Sequence, residues 1–87
     1  MKELESTLTE RGARYGAFKN QAGFSQDIKK AMKLEETTKL TPSMKEALNM
    51  IAHKVSRILA GDPYHDDSWK DIAGYSWLVY EELQKGE

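Results

Sequence analysis

Apolar residues in this chain recur at helical spacing and nowhere sustain the alternation of a strand, which predicts an all-α protein of about four helices. The clearest period runs Met44, Leu48, Ile51, Val55 and Ile58 or Leu59, one face of a helix over residues 42–60. Thr41-Pro42 marks its start, a hydroxyl cap followed by proline at the first helical position, where the missing N–H costs nothing. Gly61-Asp62-Pro63 stops it, and Gly61 to Asp66 reads as a compact loop. A fourth helix follows over about residues 67–84, with Asp66 or Asp67 near its positive end. So short a loop makes the last two helices an antiparallel hairpin.

The first half is written more faintly. A helix around residues 2–12 presents Leu4 and Leu8 at i, i+4 and ends near Gly12 or Gly16. Residues 14–23 read as an irregular connection pinned by Tyr15 and Phe18. The second helix is expected over residues 24–34, with Ile28, Ala31 and Met32 as its buried stripe and Ser25 as one candidate N-cap, although a start several residues earlier also suits the pattern. Residues 35–39 read as a linker.

The last helix lacks a single apolar face. From Ile72 to Tyr80 it reads IAGYSWLVY, apolar or aromatic nearly all round, more than a small domain covers by itself. A homo-oligomeric helical bundle is the simplest expectation, ahead of an aromatic ligand site. Trp69 falls with Ile72, Ala73 and Val79 on a core face, whereas Tyr75, Trp77 and Tyr80 are the interface candidates.

Length and composition narrow the picture. A chain of 87 residues is expected to form one domain over 1–87 that buries roughly 60–65 % of its unfolded surface. Without cysteine it has neither disulfides nor a thiolate metal site. The opening MKELESTLTERGARYG has no signal-peptide core, and no run of about 18 apolar residues occurs, so the expectation is a soluble cytoplasmic protein, in the host cytoplasm if phage-encoded, with no membrane partner. Thirteen Lys and Arg against fourteen Asp and Glu leave a net charge of −1, which counts against nucleic acid as a partner. Residues 11–33 are locally basic (Arg11, Arg14, Lys19, Lys29, Lys30 and Lys33 against Asp27), first read as a solvated face.

Candidate chemistry gathers on the hairpin. Lys54 and Arg57 share a face of the third helix with His53, while Asp67, Asp71 and Tyr75 follow at i, i+4, i+8 on the fourth. Antiparallel folding predicts Arg57 opposite Asp67 and Lys54 opposite Asp71. Such pairs read first as interhelical ion pairs. The functional reading is a groove where the cations hold phosphate and the aspartates, the only weak metal candidates, hold Mg²⁺ against the competition of the neighbouring cations. No nucleophilic triad, phosphate loop, zinc, haem or dinucleotide motif is present. No catalytic residue and no cofactor are therefore assigned, with Mg²⁺ entering only on a nucleotide reading.

Three segments in order, Arg11-Gly12-x-Arg14-Tyr15-Gly16, Lys54-Val55-Ser56-Arg57-Ile58-Leu59 and Asp67-Ser68-Trp69-Lys70-Asp71-Ile72-Ala73-Gly74-Tyr75, resemble those of a family of small phage and prophage proteins of unknown function. More distantly, the hairpin is similar to the MazG-type all-α nucleoside triphosphate pyrophosphohydrolases, oligomeric bundles whose E-x-x-E and E-x-x-D helices hold Mg²⁺. Asp71 matches the final acid of that pattern. Ser68 stands in place of the preceding glutamate, and Lys54 and Arg57 occupy the facing helix where glutamates belong.

The reading that follows is a small phage-encoded accessory protein, oligomeric and non-catalytic, that binds a host or phage protein. The alternative is a nucleotide-binding module or divergent pyrophosphohydrolase with Arg11, Arg14, Lys54 and Arg57 on phosphates. Nucleic-acid binding by residues 11–33 is a third reading, which requires affinity to fall steeply with salt.

Overall fold

The computed structural model describes residues 1–86. Four helices account for most of them: α1 (Lys2–Tyr15), α2 (Phe18–Met32), α3 (Pro42–Ala60) and α4 (Asp66–Gln84), with a 3₁₀ turn at Leu34–Glu36. α3 is central. α2 packs along one of its sides and α4 returns antiparallel along another, while α1 is only lightly attached.

The hairpin forms as its local chemistry dictates. Thr41 Oγ1 accepts the Met44 N–H at 3.2 Å, and Pro42 opens the helix. In the loop after Gly61 the Tyr64 N–H donates to Asp62 Oδ1 at 2.9 Å, and the Trp69 indole N–H donates to the Pro63 carbonyl at 2.9 Å. This bond ties Trp69 to the loop and leaves it exposed, which corrects the expected core placement.

α1 is anchored where its end crosses the loop. The Asp62 N–H donates to the Arg14 carbonyl at 2.8 Å. A Cβ on Gly61 would lie 2.4 Å from the Arg14 carbonyl oxygen and from Tyr15 C, and one on Gly16 would lie 2.2 Å from the Ala60 carbonyl oxygen. Backbone meets backbone here, so both positions require glycine. Gly16 additionally takes a φ of 83°, the left-handed region that ends α1.

α2 begins six residues before the expected residue 24 and absorbs most of the anticipated connection. Its cap is Ala17, which offers no side-chain acceptor, and Asn20 and Gly23 are weak helix formers. Packing on α3 supplies what the local sequence lacks. Ser25 is buried inside the helix and caps nothing. α2 closes at Lys33, itself left-handed at φ 53°.

The core is thin. Leu34, Ala47 and Ala52 are its buried hydrophobic residues, beside buried Gln21, Ser25, Lys54, Ser56 and Ser68. The apolar stripe of α3 is only half-buried: Met44, Leu48 and Ile51 line an open groove of about 330 Å³ closed on its far side by Val79 of α4. The chain exposes 6624 Å² in all. A compact folded chain of 9.9 kDa exposes about 5,200 Å². The radius of gyration is 15.0 Å against about 12 Å for a compact chain of this length. No helix among the described residues is long and apolar enough to cross a membrane.

Candidate functional site

Two helical pairs define a pocket. Arg11 and Tyr15 lie one turn apart on α1, and His53 and Arg57 lie one turn apart on α3. With Phe18 and Gln21 from the start of α2 they line a cavity of about 400 Å³. The Arg57 guanidinium carbon sits 4.4 Å from the centre of the Tyr15 ring and that of Arg11 5.7 Å from it, while the His65 ring meets Tyr15 edge-on at 5.7 Å. Tyr15 thus gathers two arginines by their attraction to its π-face.

Deeper in, a hydrogen-bonded chain fixes the histidine. Ser56, fully buried, donates its hydroxyl proton to the His53 carbonyl at 2.5 Å, so its oxygen is left to accept. Gln21 Nε2 donates to it at 3.3 Å and lies 3.3 Å from His53 Nδ1. The amide nitrogen can only donate, which makes Nδ1 the acceptor and Nε2–H the free donor of the ring. Burial and the charges of Arg57, Lys29, Lys54 and Arg11, in that order, hold the His53 pKa below its usual 6.5. The neutral tautomer is thereby favoured twice over.

The remaining predicted residues divide between this pocket and other places. Lys54 Nζ meets Asp71 Oδ2 at 3.0 Å, as the antiparallel register predicts. The hydrogen bond and charge of Lys54 together pull the Asp71 carboxyl below its ordinary range. Asp67 turns to His65 Nε2 at 3.2 Å instead of pairing with Arg57. Arg57 is drawn to Tyr15, which only the crossing of α1 over the loop brings near. Arg14 pairs with Glu10 at 2.8 Å and does not line the pocket. Of the four phosphate candidates, Arg11 and Arg57 therefore converge, and Arg14 and Lys54 do not. Among the described residues no three His, Asp or Glu side chains cluster as metal ligands would.

Gln21 was not singled out by sequence, and Tyr15 and Phe18 were expected only to pin an irregular connection, a role that Phe18, 80 % exposed, does not fill. The repeated i, i+4 spacing of Arg11 with Tyr15 and of His53 with Arg57 was the available signal, but only the docking of α1 joins the two pairs.

A second feature is apolar. Trp77 and Tyr80 lie 5.4 Å apart with rings tilted by 34°, and both are exposed together with Leu78 and Leu83, while Tyr75 is half-buried. Ser76 and Val79, one turn before Tyr80 and Leu83, line the groove along α3.

A family model described as "Domain of unknown function (DUF6378)" matches residues 1–83. No curated protein and no solved structure matches the chain. The chain belongs to this uncharacterised domain family.

Proposed function

We propose that this chain is a small accessory protein that acts by binding and not by catalysis, and that its first partner is a second copy of itself, seated on the groove between α3 and α4. The observation that carries this reading is the exposed area. The chain presents about 1,400 Å² more surface than a compact protein of its mass, and a stable interface needs about 800 Å² from each partner. The stripe Met44, Leu48 and Ile51 has the spacing of a core face yet opens onto solvent, and exposed Tyr80 and Leu83 follow the groove residues Ser76 and Val79 one turn on along α4, with Trp77 against Tyr80. Aromatic residues of this kind anchor interfaces.

Binding without catalysis is favoured by how the hairpin acids are used. Asp71 is held by Lys54 and Asp67 stands beside His65, so each carboxylate already faces a cation or a cation-forming ring. A phage origin, with a host or phage protein as the further partner, is proposed from the resemblance of the three motifs to those of small phage and prophage proteins. Light scattering on chromatographed protein at micromolar concentration tests the reading. The wild type is expected to elute as a dimer or larger species, and Trp77→Lys with Tyr80→Lys as a monomer of unchanged helical circular dichroism. A monomeric wild type, or an oligomer indifferent to these changes, overturns it.

A further inference from the structure

We propose that the pocket between α1, the start of α2 and α3 binds a phosphate monoester carried on a flat ring, as in a nucleoside monophosphate. Three donors of positive potential converge there with no carboxylate among the lining residues. Arg11 and Arg57 form no ion pair among the described residues, and the Arg57 Nε atom is buried without a hydrogen-bond partner. The start of α2 is the third: Ala17 and Phe18 line the pocket, no side chain caps the helix, and its first turn carries no acid. The amides of Phe18, Lys19 and Asn20 have no acceptor within the helix, and fifteen residues of aligned peptide dipoles stand behind them. Helix starts with this character take phosphate oxygens, and arginines grip them in pairs.

Two further features give the ligand its shape. Phe18 is 80 % exposed at the rim, an apolar ring with no covering from its own chain and a flat surface on which a base stacks. His53 presents Nε2–H as a donor, because the Gln21 amide donates to its other nitrogen, and Ser56, whose oxygen accepts from the same amide, holds that amide in one orientation. The cavity, at about 400 Å³, is of the size that small-molecule sites use. The site needs neither a metal nor the hairpin acids, and Lys54 and Asp71 take no part in it. It rests on the geometry of a single chain and is independent of whether α4 finds a second copy.

Nuclear magnetic resonance titration of the full chain with inorganic phosphate, adenosine, and adenosine and guanosine monophosphates tests the assignment. The monophosphates are expected to shift the resonances of Arg11, Phe18, Gln21 and His53, to bind at least tenfold more tightly than phosphate or adenosine, and to raise the His53 pKa as the anion offsets the surrounding positive charge. Arg11 is exposed on α1, so Arg11→Gln keeps the fold and is expected to weaken the monophosphates at least tenfold, while Arg14→Gln leaves them unchanged. Arg57→Lys checks the second cation with the charge retained and the fork lost. No shifts at these residues in folded protein, or affinity equal in Arg11→Gln and wild type, overturns the proposal. Adenosine binding as tightly as its monophosphate overturns the phosphate assignment, and phosphate binding as tightly as the monophosphates overturns the ring.

Discussion

Arg57 of α3 lies with its guanidinium carbon 4.4 Å from the centre of the Tyr15 ring of α1, so a helix with no buried residue of its own is held to the bundle partly by a cation on a π-face. Such contacts contribute about 0.5–2 kcal/mol depending on how far water is excluded. Arg57→Ala and Tyr15→Leu are each expected to lower stability by about 1–2 kcal/mol, with the double substitution costing less than the sum. A double-mutant cycle in denaturant measures the coupling. Additive losses would show that the stack contributes nothing.

The crossing of α1 over the hairpin loop is the least forgiving place in the fold. Gly61→Ala sets a Cβ 2.4 Å from the backbone of Arg14 and Tyr15, and neither can move without detaching α1. A loss of about 2–4 kcal/mol is expected, of the order that overpacking or strain produces. Hydrogen exchange at the Asp62 amide, which donates to the Arg14 carbonyl, should accelerate strongly. Gly23→Ala is the control: open space surrounds that position within α2, and replacing glycine there should stabilise by about 0.5–1 kcal/mol.

Lys54 is almost wholly covered while its partner Asp71 is half-exposed, which makes the pair asymmetric. Asp71→Asn leaves a covered ammonium without its counter-charge and is expected to destabilise the hairpin, whereas Lys54→Met combined with it should recover most of the loss. The acid limb carries the sign. The folded Asp71 pKa lies below its ordinary 3.8, so the contribution of the pair is full above that value and disappears as pH falls through the folded pKa. Chemical denaturation from pH 6 to about pH 2 should show that dependence reduced in Asp71→Asn.

His53 acts in a higher pH window. Its folded pKa is below 6.5, so the unfolded chain takes up the proton first as pH falls. Stability is expected to be full above about 6.5 and to decline below it, and His53→Gln should remove that part of the decline. Gln21→Leu, which deletes the donor to Nδ1 and Ser56, should lower stability at neutral pH as well. Stability of the wild type that is flat between pH 7 and 5 would refute the linkage.

How legible each element was follows from how local its determinants are. α3 was readable because Thr41, Pro42 and Gly61 act on their own neighbours and the stripe from Met44 to Ile58 is continuous. The Lys54–Asp71 pair followed from a short loop and helical spacing. The start of α2 was obscured, because Ala17 is no cap, Asn20 and Gly23 disfavour a helix, and the burial of Gln21 and Ser25 against α3 outweighs both. The pocket was half legible: Arg11, His53 and Arg57 stood out by charge and spacing, and Gln21, Tyr15 and Phe18 did not.

The amino-acid sequence by itself determined the helical class, the hairpin and its register, because caps, breakers and apolar period are short-range and need no partner. Where α1 crosses the loop, which cation stacks on Tyr15 and which aspartate is left to His65 were decided only in three dimensions. Those outcomes depend on the approach of Gly16 to Ala60 and of Gly61 to Tyr15, contacts between segments more than forty residues apart whose energy no local pattern encodes.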